Sequence, residues 1–326
     1  MSTRFRIGLA ATSVAALVML SLLSLSSGST SISLASLVRG DGSLRLIIFE
    51  IRLPRIVLAA LVGASLGLSG AILQGYFGNP LAEPYVLGIS SGAAFGAFLG
   101  SFLELPLVLG LQATAILAFV SALGVTVAAF FFAERSKWNG PNTLLLSGLA
   151  LGMIFSSITS SFILFSHKGY EKLLFFLMGS VATGSWSKVL AVAPYFCIFA
   201  SLAFAEAHKM NILGLGDDKA ASLGVDVKRT RRLFLACATF LAASSVAVGG
   251  VIGFVGLIIP HAIRLVSGPD NRWLFPLSCT WAAAFLVGVD LVARRAIQDT
   301  ELPIGIVTAL VGAPVFIFLL RRTRSE

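Results

Sequence analysis

The sequence predicts an all-α polytopic membrane protein of about ten transmembrane helices, and two observations carry that prediction. Hydrophobic residues make up 57% of the 326 residues and charged ones only 12%, about half the ~25% charge of soluble domains. The apolar residues fall in stretches near the ~20 needed to cross a bilayer, and a soluble domain would have nowhere to bury so many helices that are apolar all round. The formal net charge of +9 agrees. Its lysines and arginines sit at the ends of apolar stretches, where they suit loops and anionic headgroups. Nucleic acid would ask for one basic soluble face instead. Residues 1–326 read as a single transmembrane domain.

Taken in order, the first span covers about Ile7 to Ser27 behind Arg4 and Arg6. The competing reading is a signal peptide, but Ser26-Ser27-Gly28-Ser29 is a poor cleavage site and the run is long enough to span. The basic start places this terminus in the cytoplasm. A Ser- and Gly-containing external segment follows, with a short amphipathic helix expected near Leu34–Val38. Arg52-Leu53-Pro54-Arg55 opens the second span, to about Phe77, with Pro54 in a first turn where its missing N–H costs little. Gly63-x-x-x-Gly67 gives this span a face for close helix approach. Gly78-Asn79-Pro80-Leu81-Ala82-Glu83-Pro84 is a tight turn. The next span is rich in Gly and Ser from Gly88 to Gly92, where a broken helix is expected, either lining a pathway or kinked for packing.

Span four covers about Pro106 to Ala133 and span five about Asn142 to Ser166. Leu173–Val181 is expected along the outer surface, span six is about Val189 to Phe204, and span seven about Leu233 to Val248. Gly249 to His261 holds too much glycine for a regular helix and reads as re-entrant or as a short, broken span eight. Spans nine (about Leu274 to Val292) and ten (about Pro303 to Leu320) complete the set, with both termini cytoplasmic. Arg52, Arg55, Arg294 and Arg295 then fall on the outer side, against the usual bias. Leu53-Pro54 with Ala60-Leu61-Val62-Gly63-Ala64 recurs as Leu302-Pro303 with Ala309-Leu310-Val311-Gly312-Ala313, an echo compatible with an internal repeat.

Between spans six and seven lies the longest polar interruption, Glu206 to Arg232. A charge at the centre of the bilayer costs roughly 2.5–3.5 kcal/mol on insertion scales, so this segment must leave the membrane. It reads as a helix–turn–helix: Gly214-Leu215-Gly216 turns the chain into a short segment bearing Asp217, Asp218, Ala220 and Leu223, which Gly224 stops. An ordinary charged connection is the plainer alternative.

The sequence holds no Walker A motif and no H-E-x-x-H, so no nucleotide hydrolysis or metalloprotease chemistry is expected of this chain. No catalytic residue, bound cofactor or metal site is expected. The cysteines, Cys197, Cys237 and Cys279, show no ligand spacing and read as small packed hydrophobes. His167, His208 and His261 read as polar loop residues. Asp290 is the clearest carboxylate in an apolar run. A proton relay is one reading; pairing with Arg294 one turn on is the preferred one.

Four motifs, in order and over nearly the whole chain, resemble the FecCD family. They are Ile51-Arg52-Leu53-Pro54-Arg55; Asn79-Pro80-Leu81-Ala82-Glu83-Pro84 with Leu87-Gly88; Gly253-Phe254-Val255-Gly256-Leu257-Ile258-Ile259-Pro260-His261 with Arg264; and Glu301-Leu302-Pro303-Ile304-Gly305 through Gly312-Ala313-Pro314-Val315-Phe316. The family comprises permease subunits of type II ABC importers for iron-siderophores, haem and cobalamin. The resemblance implies a ten-span subunit that pairs with a second, identical or related permease. It also implies two ATPase subunits, which bind ATP and magnesium in this chain's stead, and a periplasmic or lipid-anchored substrate-binding protein. The setting would be the cytoplasmic membrane of a bacterium.

By the same resemblance, Gly214, Leu215, Gly216, Asp217, Asp218, Ala220, Leu223 and Gly224 form the loop that couples to the ATPase. Arg52, Arg55 and Arg294 fall where the family's cobalamin permease meets glutamates of its binding protein. Asn79 and Leu81, with Pro141 and Asn142 as a looser match, fall at the cytoplasmic gate. The expected function is import of an iron chelate, ferric siderophore or haem, by alternating access, with cobalamin as the alternative cargo. A stand-alone secondary transporter would need coupling carboxylates and no docking loop, and a membrane enzyme would need a catalytic constellation.

Overall fold

The computed structural model describes residues 2–26, 45–104, 111–136, 141–165, 170–297 and 300–323. The described residues form thirteen α-helices. The first six are α1 (Thr3–Ser26), α2 (Leu53–Phe77), α3 (Ile89–Phe102), α4 (Ala113–Arg135), α5 (Pro141–Phe165) and α6 (Tyr170–Met178). Then come α7 (Trp186–Ala205), α8 (Ala207–Leu213), α9 (Asp217–Ser222), α10 (Val227–Gly249), α11 (Val255–Ser267), α12 (Asn271–Ala293) and α13 (Ile304–Thr323). Seven of these, α1, α2, α4, α5, α7, α10 and α12, are long and apolar enough to cross a membrane, and α3, α11 and α13 are shorter apolar helices. Together they supply the ten expected spans. The short helix expected near Leu34–Val38 lies outside the described residues.

The bundle is built around α2. One π-helical turn (Ile47–Arg52) leads into it, and α12, α10, α11 and α7 enclose it, with α1 laid on the far side of α12. Water gives helices in lipid no hydrophobic reason to associate, so close backbone contact must do the holding. The glycines of α2 provide it. A Cβ on Gly67 would lie 2.4 Å from the Ala282 Cβ, and one on Gly70 only 1.8 Å from the Gly256 carbonyl oxygen. The small-residue face expected from Gly63 and Gly67 is therefore the seam with α12, and Gly70 extends it to α11.

The expected break within the third span is not there. α3 is continuous, and the irregularity precedes it, in a 3₁₀ turn (Pro84–Leu87) and at Gly88, whose φ is +79°. Its glycines face α4: a Cβ on Gly96 would lie 2.1 Å from the Leu117 carbonyl oxygen. The small residues here serve packing between two helices. The stretch expected along the outer surface forms the short α6, packed on one side and open on the other. α6 turns Leu173 inward against Ala94 and Phe98 while Phe175 stays exposed. Cys237 and Cys279 are packed as expected, but Cys197 is exposed on α7. His261 is a buried helical residue of α11 rather than a loop residue.

The second expected break is present. α10 stops at Gly249, four residues run without helix, Phe254 takes a φ of +69°, and the 13-residue α11 begins. Unpaired backbone at membrane depth costs several kcal/mol per group, and each polar group of the break named next has a partner. The Val251 N–H donates to the Phe176 carbonyl (3.0 Å), and the Ser180 N–H donates to that of Gly249 (2.8 Å). The Tyr85 hydroxyl donates to the Ile252 carbonyl at 2.7 Å and accepts the Ile252 N–H at 2.9 Å, so one phenol replaces both lost helical bonds of that residue.

Candidate functional site

The residues singled out in the sequence gather at the two ends of the bundle. At one end, α8 and α9 project as the expected helix–turn–helix. Gly216, with φ of +104°, permits the turn into α9, and Gly224, with φ of +82°, ends it. Ala220 is fully buried and anchors α9, while Gly214, Leu215, Gly216, Asp217, Asp218, Leu223 and Gly224 are exposed. Leu215 (57%) and Leu223 (61%) expose large apolar side chains on an otherwise polar loop. Asp217 accepts from Arg231 at 2.7 Å, and Arg231 in turn donates to the Tyr76 carbonyl at 3.2 Å. The loop is thereby tied to the foot of α2.

A second tie was not legible in the sequence. Asn211 of α8 donates to Asp270 at 2.7 Å and accepts from the Asn271 N–H at 2.8 Å, joining the loop to the start of α12. Asp270 caps α12 by accepting the Arg272 N–H at 3.2 Å. Its hydrogen bonds with the Arg272 side chain, and then with Asn211, hold its carboxyl below the ordinary carboxylate range.

Near this end the turn after α2 places Asn79 and Leu81 in the open. Gly78 takes φ of +60°, and the Asn79 side chain accepts the Leu81 N–H at 2.9 Å, closing a turn of its own. Burial pushes the neighbouring Glu83 carboxyl up. Asn142, in the first turn of α5, is also exposed.

At the opposite end the three arginines turn inward. Arg55 donates to Asp290 through Nη2 at 2.9 Å and Nε at 3.1 Å, and to both oxygens of Glu301 at 2.9 Å. Arg294 pairs with the other oxygen of Asp290 at 2.9 Å and also donates to the Ser24 hydroxyl. Arg52 donates to the Leu25 carbonyl at 2.7 Å. Asp290 is only 1% exposed and Glu301 44%. The expected Asp290–Arg294 pair is thus one half of a four-residue cluster that joins α2, α12 and the approach to α13. Asp290 touches two guanidiniums, an arrangement suited to holding helices together.

Comparisons with known proteins agree with this geometry. The FecCD transport family matches residues 16–322. A cobalamin import system permease protein, BtuC, of Halobacterium salinarum is 45% identical over 277 residues, covering 85% of this chain and 74% of that one. The hemin transport system permease protein HmuU of Yersinia pestis is 36% identical over 282 residues, covering 85% and 84%. The molybdate import system permease protein MolB of Haemophilus influenzae is 38% identical over 272 residues, covering 83% and 79%. A solved structure of a metal-chelate type ABC transporter in an inward-facing conformation superposes with a TM-score of 0.88 at 35% identity, over 98% of this chain and all of that one. The ten-span architecture is the type II importer permease fold.

Proposed function

Taking as premise that the chain belongs to the FecCD transport family and is an ABC importer permease subunit, we propose that it carries a metal chelate inward across the cytoplasmic membrane. Two copies of the chain frame the pathway at their interface. The observation that carries the reading is the α8–α9 loop, which presents Leu215 and Leu223 beside Asp217 and Asp218 at the end richest in arginine and lysine. That composition supports a cytoplasmic position for this end and both termini, where a separate ATPase docks on the loop and supplies the free energy. The permease contributes two states whose contacts differ. Asn79, Leu81, Pro141 and Asn142 form the cytoplasmic gate.

Arg52, Arg55 and Arg294 serve the substrate-binding protein at the other end. Their commitment to partners within the chain defines how. An incoming carboxylate meets a guanidinium by displacing Glu301, the exposed member of the cluster, while Asp290 stays in place. Such charge complementarity sets encounter and register more than raw affinity.

Cobalamin is the first chelate to test, because the relative of highest identity among those reported is a cobalamin permease. Haem and ferric siderophore follow. The relative named for molybdate supports an oxyanion as the second reading. The test is ATPase stimulation and uptake by the reconstituted permease–ATPase complex, given the cognate binding protein loaded with each cargo in turn. Stimulation by one loaded form names the cargo; no stimulation by any, with no ATPase co-purifying, refutes the importer reading.

A further inference from the structure

Beside the α8–α9 loop lies a cleft of about 660 Å³, between the start of α1, the foot of α2, α8 and α11. This is within the range of small-ligand sites, roughly 300–1,000 Å³. Its polar groups are unusual for their lack of partners. His261 is 5% exposed, and neither ring nitrogen has a hydrogen-bond partner among the described residues. The Arg264 Nη2 is fully enclosed and equally unpartnered, and no ion pair holds Arg264 among the described residues. The Gln74 Nε2 donates to the Leu257 carbonyl at 2.9 Å, which leaves its Oε1 unpaired on the cleft wall. A buried donor without an acceptor costs about 1–3 kcal/mol, more when charged, so the Arg264 Nη2 calls for an acceptor from outside, while the unpaired Gln74 Oε1 and Asn271 Oδ1 call for a donor such as a hydroxyl or water carried with it.

The charge balance selects the acceptor. Arg6, on α1, donates to the Ser267 carbonyl at 3.1 Å and lies 3.7 Å from Asp270, itself shared with Arg272. Arg264 is the cation left uncompensated, and His261 adds one N–H donor in its neutral form. One net positive charge with neighbouring donors suits a monoanion. The surroundings select its carrier. α1 is the least buried of the seven long helices, and Leu265, on the cleft wall, and Val266 beside it are both exposed and apolar. Basic pockets between helices at the cytoplasmic surface are the usual seats of anionic headgroups.

We propose that this cleft binds the phosphodiester headgroup of an anionic phospholipid, with Arg264 and His261 as donors and acyl chains along α1 and Leu265. The lipid would lie against Gly214 and Leu215, which belong to the loop assigned to the ATPase. The proposal rests on the cytoplasmic placement of this end. Binding in micelles does not depend on that placement, whose separate test is protease access to residues 217–222 in sealed vesicles of known sidedness.

The test is native mass spectrometry and thermal unfolding of the full chain in detergent, titrated with dioleoylphosphatidylglycerol, dioleoylphosphatidylcholine or sodium phosphate. The expected result is a retained phosphatidylglycerol adduct and a raised melting temperature, with neither for phosphatidylcholine. Arg264→Gln is expected to weaken retention at least tenfold. Leu265→Trp, which obstructs the wall without altering charge, is expected to do the same, and Arg229→Gln, exposed on α10, is expected to leave it unchanged. Equal retention of phosphatidylcholine, equal protection by phosphate alone, or an Arg229→Gln loss matching that of Arg264→Gln would each overturn the proposal.

Discussion

Replacing Asp290 by alanine should be among the most damaging single changes in this protein. The carboxylate is 1% exposed and pairs with Arg55 and Arg294, both at 2.9 Å. Unit charges ~4 Å apart at an effective dielectric near 20 attract by about 4 kcal/mol, so roughly twice that is lost in gross terms. Arg55 retains Glu301, whereas Arg294 is left with the Ser24 hydroxyl and a backbone carbonyl. Relaxation and entering water recover part of the loss, and removal of one member of a buried pair typically costs about 3–5 kcal/mol. At about 1.4 kcal/mol per decade, that is two to four orders of magnitude in the unfolding equilibrium. The assay is reversible unfolding of the purified chain in mixed micelles, for Asp290→Ala, Arg294→Ala and the double variant. The double variant should be less destabilised than the sum of the two singles, because it leaves fewer uncompensated charges. A loss below about 1 kcal/mol for Asp290→Ala, or strict additivity, would refute the account of this cluster as the clamp of its end.

Four further outcomes follow from other parts of the structure. Tyr85→Phe removes the one hydroxyl serving both polar groups of Ile252, and unfolding in micelles should show a cost of about 1–3 kcal/mol for each group left unpaired. Gly70→Ala must force α2 away from Gly256 and should cost about 1–3 kcal/mol or more; Gly124→Ala on α4, with nothing within 4 Å of its Cβ, should gain about 0.5–1 kcal/mol. Asp217→Arg combined with Asp218→Arg should reduce uptake by reconstituted complex at least tenfold while leaving ATP hydrolysis, and normal uptake would contradict the coupling assignment. Because folding lowers the carboxyl of Asp270, its stabilisation is complete above the unfolded value near pH 4 and fades as pH falls towards the folded value. Asp270→Asn should therefore flatten the acid limb of a stability–pH profile.

The helices could be read from the sequence because lipid imposes one rule on every span, and the length of each apolar run answers to it. The break after Gly249 was legible for the same reason, since a run of Gly249, Gly250, Gly253 and Gly256 resists regular helix. Glycine is ambiguous, however. The same residue type that breaks the chain at Gly250 lets α3 press its backbone onto α4 at Gly96, and only the neighbour decides between the two. At the arginine cluster, the Asp290–Arg294 pair was visible because residues four apart share a helix face. Arg55 meets Asp290 across 235 positions and Glu301 across 246, and no local pattern announces that. The inward turn of Arg55, and the unpartnered His261 and Arg264, are likewise products of packing alone.

The glycine seams of α2 bear on mechanics. The helix is 25 residues long, about 37 Å at ~1.5 Å per residue. The ion cluster grips it at one end through Arg55, while Gln74 and the turn bearing Asn79 and Leu81 sit at the other. Seated backbone to backbone against α11 and α12, it has little room to bend and behaves as a stiff rod with a fulcrum at the arginine end. On that length a tilt of about 5° sweeps the far tip through about 3 Å, a full atomic diameter. Because Gly67 and Gly70 leave no gap between α2 and its neighbours, a tilt of that size carries α11 and α12 with it, and the three helices move as one block.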